Sequence, residues 1–147
     1  MRVVIASDVE GMPLKETVKE TLLADGHEVV DLSETPAADF VDSATAVAAD
    51  LMENEDSQGL CFDAYGVGSY MAATRVKGMV AANISDERSA YMTREHNNSR
   101  IVCLGSAVVA PRSPRRSPAS SSRPITPPAV TRCASTCSTR WPRGNES

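Results

Sequence analysis

Short apolar runs alternate with amphipathic stretches along much of the chain. The run at residues 3–7 is rich in β-branched residues, which is typical of a strand buried on both faces of a sheet. Similar runs at residues 27–32, 60–62, 79–83 and 100–105 predict four more strands.

Four helices are predicted between these strands. The first has Pro13 in its first turn, repeats apolar residues every four positions, and ends at Gly26. The second follows Asp42 and shows i, i+3, i+4, i+7 spacing of apolar residues. A third is expected over residues 69–76, and a fourth begins after Ser85, which we predict to be its N-terminal cap.

The alternation of strands and helices predicts an α/β fold. We expect residues 1–110 to form a three-layer α/β/α domain with a Rossmann-like, five-stranded parallel sheet. If the strand order is 2-1-3-4-5, the direction of winding reverses between strands one and three. Ligands of such sheets bind beyond the carboxyl ends of the strands at that point. The loops there are residues 7–11 and 63–69, so both are candidates for a site.

Composition changes abruptly near Ala110. Residues 1–110 contain 18 acidic residues against 8 Lys and Arg, whereas residues 111–147 contain 7 Arg and one acid. The tail also contains seven of the nine prolines. The acidic body argues against nucleic acid as a partner. The chain has no run of 18 apolar residues and no signal-peptide pattern, so we expect neither a membrane span nor secretion.

Cysteine usage favours a cytoplasmic location. Cys61 and Cys103 fall inside apolar runs that are predicted to be strands, where buried free thiols are expected. The cysteines show no disulfide framework, and we find no ligand cluster with metal spacing.

Two glycines, Gly66 and Gly68, follow the third predicted strand. A glycine turn lets backbone amides come close to a bound anion, because no Cβ intervenes. On its own, such a turn is more often an ordinary tight connection between a strand and a helix. Its significance depends on two further segments: residues 7–11 (Ser-Asp-Val-Glu-Gly) and residues 89–98 (Ser-Ala-Tyr-Met-Thr-Arg-Glu-His-Asn-Asn).

Together the three segments resemble the ribose-5-phosphate isomerase B / galactose-6-phosphate isomerase family, and the resemblance covers residues 1–110. Within that family the chain is most similar to the A subunits of galactose-6-phosphate isomerases. The resemblance implies interconversion of an aldose phosphate and a ketose phosphate through an enediol(ate), with no metal and no other cofactor. The reaction needs a base, donors that face the oxyanion, a group that opens the sugar ring, and cations for the phosphate.

The turn after strand three departs from the family pattern. Self-sufficient members read Cys-Gly-Thr-Gly-x-Gly there, with the cysteine as base and the threonine among the oxyanion donors. In this chain Asp63 replaces that cysteine and Tyr65 replaces that threonine, while Gly66 and Gly68 are retained. Cys61 lies two residues upstream and does not match the base. A partly buried carboxylate can act as a base, so Asp63 stays open as an alternative.

The loop after strand one also departs from the pattern. Family members commonly read Ser-Asp-His-Ala-Gly, and Val9 stands where their histidine contacts substrate. Valine neither donates a hydrogen bond nor carries charge. Asp8 is retained, and the sequence leaves two roles open for it: contact with substrate, or capping of the following turn.

The third segment is intact, because residues 94–97 match the family's Arg-Glu-His-Asn. The resemblance implies that His96 assists ring opening and that His96 and Asn97 reach into the site of a neighbouring subunit. Histidine suits proton transfer near neutral pH. The alternative is a histidine that interacts only with the last carbonyls of its helix.

These features suggest one half of a shared site. The favoured hypothesis is a subunit that converts D-galactose 6-phosphate to D-tagatose 6-phosphate, in lactose and galactose breakdown, together with a B subunit that has the complete turn. The first alternative is a non-catalytic relative that binds a sugar phosphate or regulates. The second is a stand-alone pentose-phosphate isomerase that uses Asp63.

The tail, residues 111–147, has no hydrophobic period and is not expected to pack. We interpret it as the product of a reading-frame change. A shifted frame permits strings that resemble the family's C-terminal helix and its phosphate-binding arginine segment. On this interpretation the domain is truncated at its last helix and lacks those arginines.

Overall fold

The computed structural model describes residues 1–109, which form a five-stranded parallel sheet with helices on both faces. The elements, in chain order, are β1 (Arg2–Ser7), α1 (Met12–Ala24), β2 (Glu28–Asp31), α2 (Phe40–Glu53), β3 (Gln58–Asp63), α3 (Val67–Thr74), β4 (Ala81–Asn83), α4 (Glu87–Asn97), β5 (Ile101–Gly105) and α5 (Ser106–Val109). The predicted α/β class and parallel sheet are confirmed. The composition change near Ala110 and the tail after it lie outside the described residues.

The strand order is β2-β1-β3-β5-β4, so the order 2-1-3-4-5 is wrong for the last two strands. β5 has five buried residues and pairs with β3, whereas β4 has three residues that all retain some exposure. The longer apolar strand therefore takes the inner position, and the short strand lies at the edge, where pairing on one side suffices. The reversal between β1 and β3 is unaffected, because both pairings of β1 are as expected.

Two apolar layers cover the sheet, one on each face. On one face α1 packs on the strands through Leu14, Val18 and Leu22, in a cluster that includes Phe62 and Leu104. On the other face α2 supplies a second set of buried side chains: Ala44, Val47, Ala48 and Leu51. Because successive residues of a buried strand point to opposite faces, these two clusters account for the continuous apolar runs of β1, β3 and β5.

Three helices begin at residues other than those expected. Asp39 caps α2 by accepting from the backbone N–H groups of Val41 and Asp42, so α2 begins before Asp42. Asp86 rather than Ser85 caps α4, accepting from the N–H of Ser89 at 2.8 Å and from its hydroxyl at 2.6 Å. Each carboxylate oxygen of Asp86 accepts one of these hydrogen bonds, whereas Ser85 offers a single hydroxyl oxygen. The third helix, α3, begins earlier than residue 69.

The end of α1 follows the expectation from sequence. Gly26 has φ of +82°, and the N–H of His27 reaches back to the carbonyl of Leu22 at 3.0 Å. This is the glycine-terminated helix end that the sequence predicts. None of the helices within residues 1–109 is long and apolar enough to cross a membrane.

Candidate active site

The carboxyl ends of β1 and β3 place the two predicted loops side by side. Ser7, the last residue of β1, is aligned with Phe62 of β3, so residues 8–11 and the turn after Asp63 begin at the same edge of the sheet. The hydroxyl of Ser106, at the start of α5, donates to the carbonyl of Glu10 at 2.8 Å. The three segments that follow β1, β3 and β5 therefore meet at one edge.

Asp8 is nearly buried and shapes its own loop. Its Oδ1 accepts from the N–H groups of Glu10 at 3.0 Å and Gly11 at 3.1 Å. The capping role that the sequence left open is therefore observed for Oδ1. Oδ2 has no hydrogen-bond partner among residues 1–109, so the same carboxylate retains an oxygen for a ligand.

A buried lysine fixes the loop after β1. Lys15, on α1, is 0% exposed and donates to Asp31 at 2.7 Å and to the carbonyl of Ser33 at 2.7 Å. The hydroxyl oxygen of Ser33 accepts from the N–H of Ser7 at 2.8 Å. Burial raises the pKa of Asp31, but hydrogen bonds from Lys15, Lys19 and the N–H of Ser33 outweigh it, so the net pKa lies below the ordinary value. This ionic network connects α1, β2 and the start of the site loop.

Asp63 is engaged in holding the turn that follows it. Its side chain is almost fully buried, with the residue 4% exposed. Oδ1 accepts from the N–H of Gly66, and Oδ2 accepts from Ser69 twice, from the N–H at 2.9 Å and from the hydroxyl at 3.0 Å. Both oxygens thus face donors of the protein itself. The carboxylate therefore holds the turn in place, with each oxygen engaged by at least one donor of the chain.

The start of α3 presents backbone amides that have no partner within the helix. Gly66 caps the helix with φ of +80°, a conformation that favours glycine. The first amides of a helix have no partner within it, and Ser69 N–H is already bonded to Asp63, which leaves the amides of Val67 and Gly68. Together with the helix dipole, these amides form a site for negative charge.

Two of the three residues that the sequence analysis predicts to be substitutions are exposed at this edge. Val9 is 66% exposed and Tyr65 is also 66% exposed. The backbone of Tyr65 lies so close to Gly105 that a Cβ at residue 105 would collide with it. The β3–α3 turn is therefore pressed against the end of β5, and the Tyr65 side chain is directed outward.

The end of α4 presents His96. Arg94 is buried, and its guanidinium donates to the carbonyl of Ser99 at 2.8 Å. Thr93 and Ser99 share a hydrogen bond of 2.8 Å between their hydroxyls, and Asn98 ends the helix with φ of +56°. These contacts fix the last turn, while the His96 side chain stays exposed.

His96 and Asn97 line a cavity of about 740 Å³ beside the edge strand β4. The cavity extends from the last turn of α4 to the first residue of α3, Val67. The structure thus brings His96 and Asn97 together with the amino end of α3, whereas Asp8, Asp63 and Gly68 are not among the lining residues. The full lining is Val67, Tyr70, Val80, Ala81, Ala82, Asn83, Ile84, Ser89, Met92, Thr93, His96, Asn97 and Ser99.

Sequence reasoning missed Asn83. It is the last residue of β4 and lines the cavity, and a Cβ placed on Gly66 would come within 2.5 Å of its Oδ1. The available signal was its position, since a polar residue at the carboxyl end of a strand in a parallel sheet faces the ligand edge.

The two buried cysteines lie side by side in the sheet. Cys61 and Cys103 are aligned neighbours on β3 and β5, and both are free and fully buried, as the sequence predicts. A hydrogen bond with Cys61 and burial raise the pKa of the Cys103 thiol well above its ordinary value. Residues 1–109 contain no group of three or more His, Cys, Asp or Glu side chains placed to hold a metal ion.

Residues 3–116 match a protein family described as Ribose/Galactose Isomerase. Among curated proteins, the chain is 55% identical to galactose-6-phosphate isomerase subunit LacA 2 of Streptococcus pyogenes serotype M3, over 76% of this chain and 78% of that protein. It is 51% identical to galactose-6-phosphate isomerase subunit LacA of Streptococcus mutans serotype c, over 74% of this chain and 77% of that protein.

Solved structures share the fold. Ribose-5-phosphate isomerase B of Mycoplasma genitalium, solved with bound ribulose-5-phosphate, superposes with a TM-score of 0.76 at 29% identity, over 98% of this chain and 87% of that one. The corresponding enzyme of Clostridium thermocellum gives a TM-score of 0.71 at 34% identity, over 75% of this chain and 76% of that one.

Proposed function

The chain belongs to the ribose/galactose isomerase family, and from that premise we propose that it is one subunit of an isomerase that converts D-galactose 6-phosphate to D-tagatose 6-phosphate, with active sites shared with a B subunit. The substrate follows the names of the relatives at 50–55% identity, which are subunits of galactose-6-phosphate isomerases. The observation that carries the shared site is the state of Asp63, whose two oxygens both accept hydrogen bonds from the turn itself.

The reaction moves one proton between neighbouring carbons. A base removes the proton from C2 of the open-chain aldose, and the electron pair moves through an enediolate, whose oxyanion needs donors. The proton is then delivered to C1. O1 takes up a proton and becomes a hydroxyl, while O2 gives up its proton and becomes the carbonyl oxygen of the ketose. In this chain the amides of Val67 and Gly68 suit the oxyanion. His96 suits proton transfer to the ring oxygen as the cyclic sugar opens.

The base is the missing component. Asp63 stands at its family position but is occupied by hydrogen bonds from Gly66 and Ser69, and Val9 and Tyr65 offer no imidazole and no threonine hydroxyl. We infer that a B subunit with an intact Cys-Gly-Thr-Gly turn supplies the base, while this chain contributes His96 and Asn97 to that subunit's site. Asp8, with one free carboxylate oxygen, contacts a hydroxyl of the sugar. The free thiols at Cys61 and Cys103 suit a reducing cytoplasm.

A second candidate function is binding of a sugar phosphate without catalysis. It is favoured by the same hydrogen bonds of Asp63, because they leave a binding edge without a base. A stand-alone pentose-phosphate isomerase that uses Asp63 is disfavoured by those contacts.

Co-expression with a B subunit tests the proposal. The purified complex is assayed for conversion of D-galactose 6-phosphate to D-tagatose 6-phosphate, and of D-ribose 5-phosphate to D-ribulose 5-phosphate. The proposal expects the hexose phosphate to be preferred. A complex that binds D-galactose 6-phosphate in calorimetry but releases no product supports the binding function instead. Preference for the pentose phosphate contradicts the substrate assignment.

A further inference from the structure

The carboxamide of Asn83 is an unassigned polar group in the cavity beside β4. It lies at the carboxyl end of the edge strand and is exposed. It makes no side-chain hydrogen bond with any residue in the described range 1–109. The carboxamide therefore has donor and acceptor capacity to offer a ligand in this cavity.

Asn83 lies next to Gly66 at the start of α3 and also lines the cavity beside His96. Its Oδ1 lies against Gly66, where a Cβ would approach it to 2.5 Å, and the same side chain lines the cavity with His96 and Asn97. Gly66 is the cap of α3, whose free amides suit an oxyanion. Because Asn83, His96 and Asn97 line one cavity, a sugar held there in the shared site beside His96 also faces Asn83.

We propose that Asn83 is a specificity residue that binds a hydroxyl of the open-chain sugar phosphate. A carboxamide donates through Nδ2 and accepts through Oδ1, which matches the combined donor and acceptor character of a hydroxyl. A cavity of about 740 Å³ is of a size that accepts a small phosphorylated sugar. The assignment of the ligand rests on the proposed function, while the assignment of the site rests on the geometry.

The test uses the complex of the full chain with its B subunit. Asn83→Ala removes both donor and acceptor and is expected to lower kcat/KM for D-galactose 6-phosphate about tenfold, mainly through KM. Asn83→Asp keeps the shape but adds negative charge near an anionic ligand, so a larger loss is expected. Gln58→Ala is the matched control, because Gln58 is a half-buried carboxamide at the opposite end of the sheet, where β3 begins. The control is expected to be unchanged.

A direct readout accompanies the kinetics. The side-chain NH2 resonance of Asn83, labelled with ¹⁵N and identified by its loss in Asn83→Asp, is followed during titration with D-galactose 6-phosphate and, separately, with inorganic phosphate. The proposal expects a saturable shift with the sugar phosphate that exceeds the shift with phosphate alone. If the complex produces no ketose but this shift is seen, the proposed reaction fails and the site at Asn83 stands.

Two results overturn the inference while leaving the proposed function intact. The first is Asn83→Ala kinetics equal to those of Gln58→Ala. The second is a kinetic loss without any shift of the Asn83 resonance, since the residue would then act through folding and not through contact with the sugar.

Discussion

Single residues decide how this edge of the sheet differs from a self-sufficient isomerase. Residue 63 carries a carboxylate, and the structure shows what it does: Asp63 accepts hydrogen bonds from Gly66 and Ser69. Val9 and Tyr65, which we propose to stand where catalytic relatives carry a histidine and a threonine, are both exposed. His96, in contrast, has the family identity and faces a cavity.

The capping role of Asp63 predicts a loss of stability on substitution. Asp63→Ala leaves the N–H groups of Gly66 and Ser69 without their acceptor in a buried turn, so the free energy of unfolding should fall by about 2 kcal/mol. Urea titration measures it, with Asp56→Ala as the control, because Asp56 is exposed and precedes β3, at the opposite end of that strand from the turn. Equal midpoints for the two variants would show that the hydrogen bonds of Asp63 contribute nothing to the fold.

The role proposed for His96 predicts a kinetic defect. In the complex with the B subunit, His96→Ala should lower the isomerisation rate on the cyclic sugar by about 10²-fold, the lower end for loss of a general acid–base. The defect should be smaller on a substrate already in open-chain form. His27→Ala, at the other histidine of the chain, is the control. Unchanged rates on the cyclic sugar would leave His96 with a structural role only.

At the scale of elements, the ionic network of Lys15 predicts a pH-dependent contribution to stability. The pKa of Asp31 is lowered in the folded chain, so its carboxylate stabilises the fold above its unfolded pKa, and that contribution is lost as the pH falls through the folded pKa. Asp31→Asn leaves the buried Lys15 without its main partner and should destabilise the fold by roughly 3 kcal/mol at pH 7.

The difference between wild type and Asp31→Asn should shrink as the pH falls below about 4, near the unfolded pKa of an aspartate. Urea titrations at pH 7 and at pH 3 measure it. Asp25→Asn, a change at an exposed aspartate just after α1, serves as the control. A difference that stays constant over this range would contradict the ionic role of Asp31.

The elements also show what sequence patterns can and cannot predict. The buried strands could be predicted because a strand that is buried on both faces is a continuous apolar run. Helix α1 could be predicted because its apolar residues recur every four positions. The exchange of β4 and β5 could not be predicted, since strand order depends on packing between distant elements. The caps at Asp39 and Asp86 were missed because neighbouring acidic and hydroxyl residues compete for the same amides, and only the backbone geometry selects one. Asn83 was missed because its proximity to Gly66, which is distant along the chain, is visible only in the folded structure.

At the scale of the whole molecule, we propose that the tail, residues 111–147, is the product of a reading-frame change. The family match ends at residue 116 and the matches to curated relatives span about 111 residues, which agrees with the composition change near Ala110. We expect resequencing of the 3′ end of the gene to restore a frame that encodes an apolar helix and an arginine segment. The intact mass of the native protein should then differ from the 15.7 kDa of the 147-residue chain. A confirmed frame and a mass that matches all 147 residues would contradict the frameshift.

The central claim is that this chain supplies only part of a shared site. The most direct test is the initial rate of D-tagatose 6-phosphate formation by a fixed amount of the chain, measured alone and during titration with its B subunit. A shared site predicts no turnover, or nearly none, by the chain alone, and a rate that rises and saturates as the B subunit is added. Robust turnover by the isolated chain would contradict it, because a base would then have to lie within this chain.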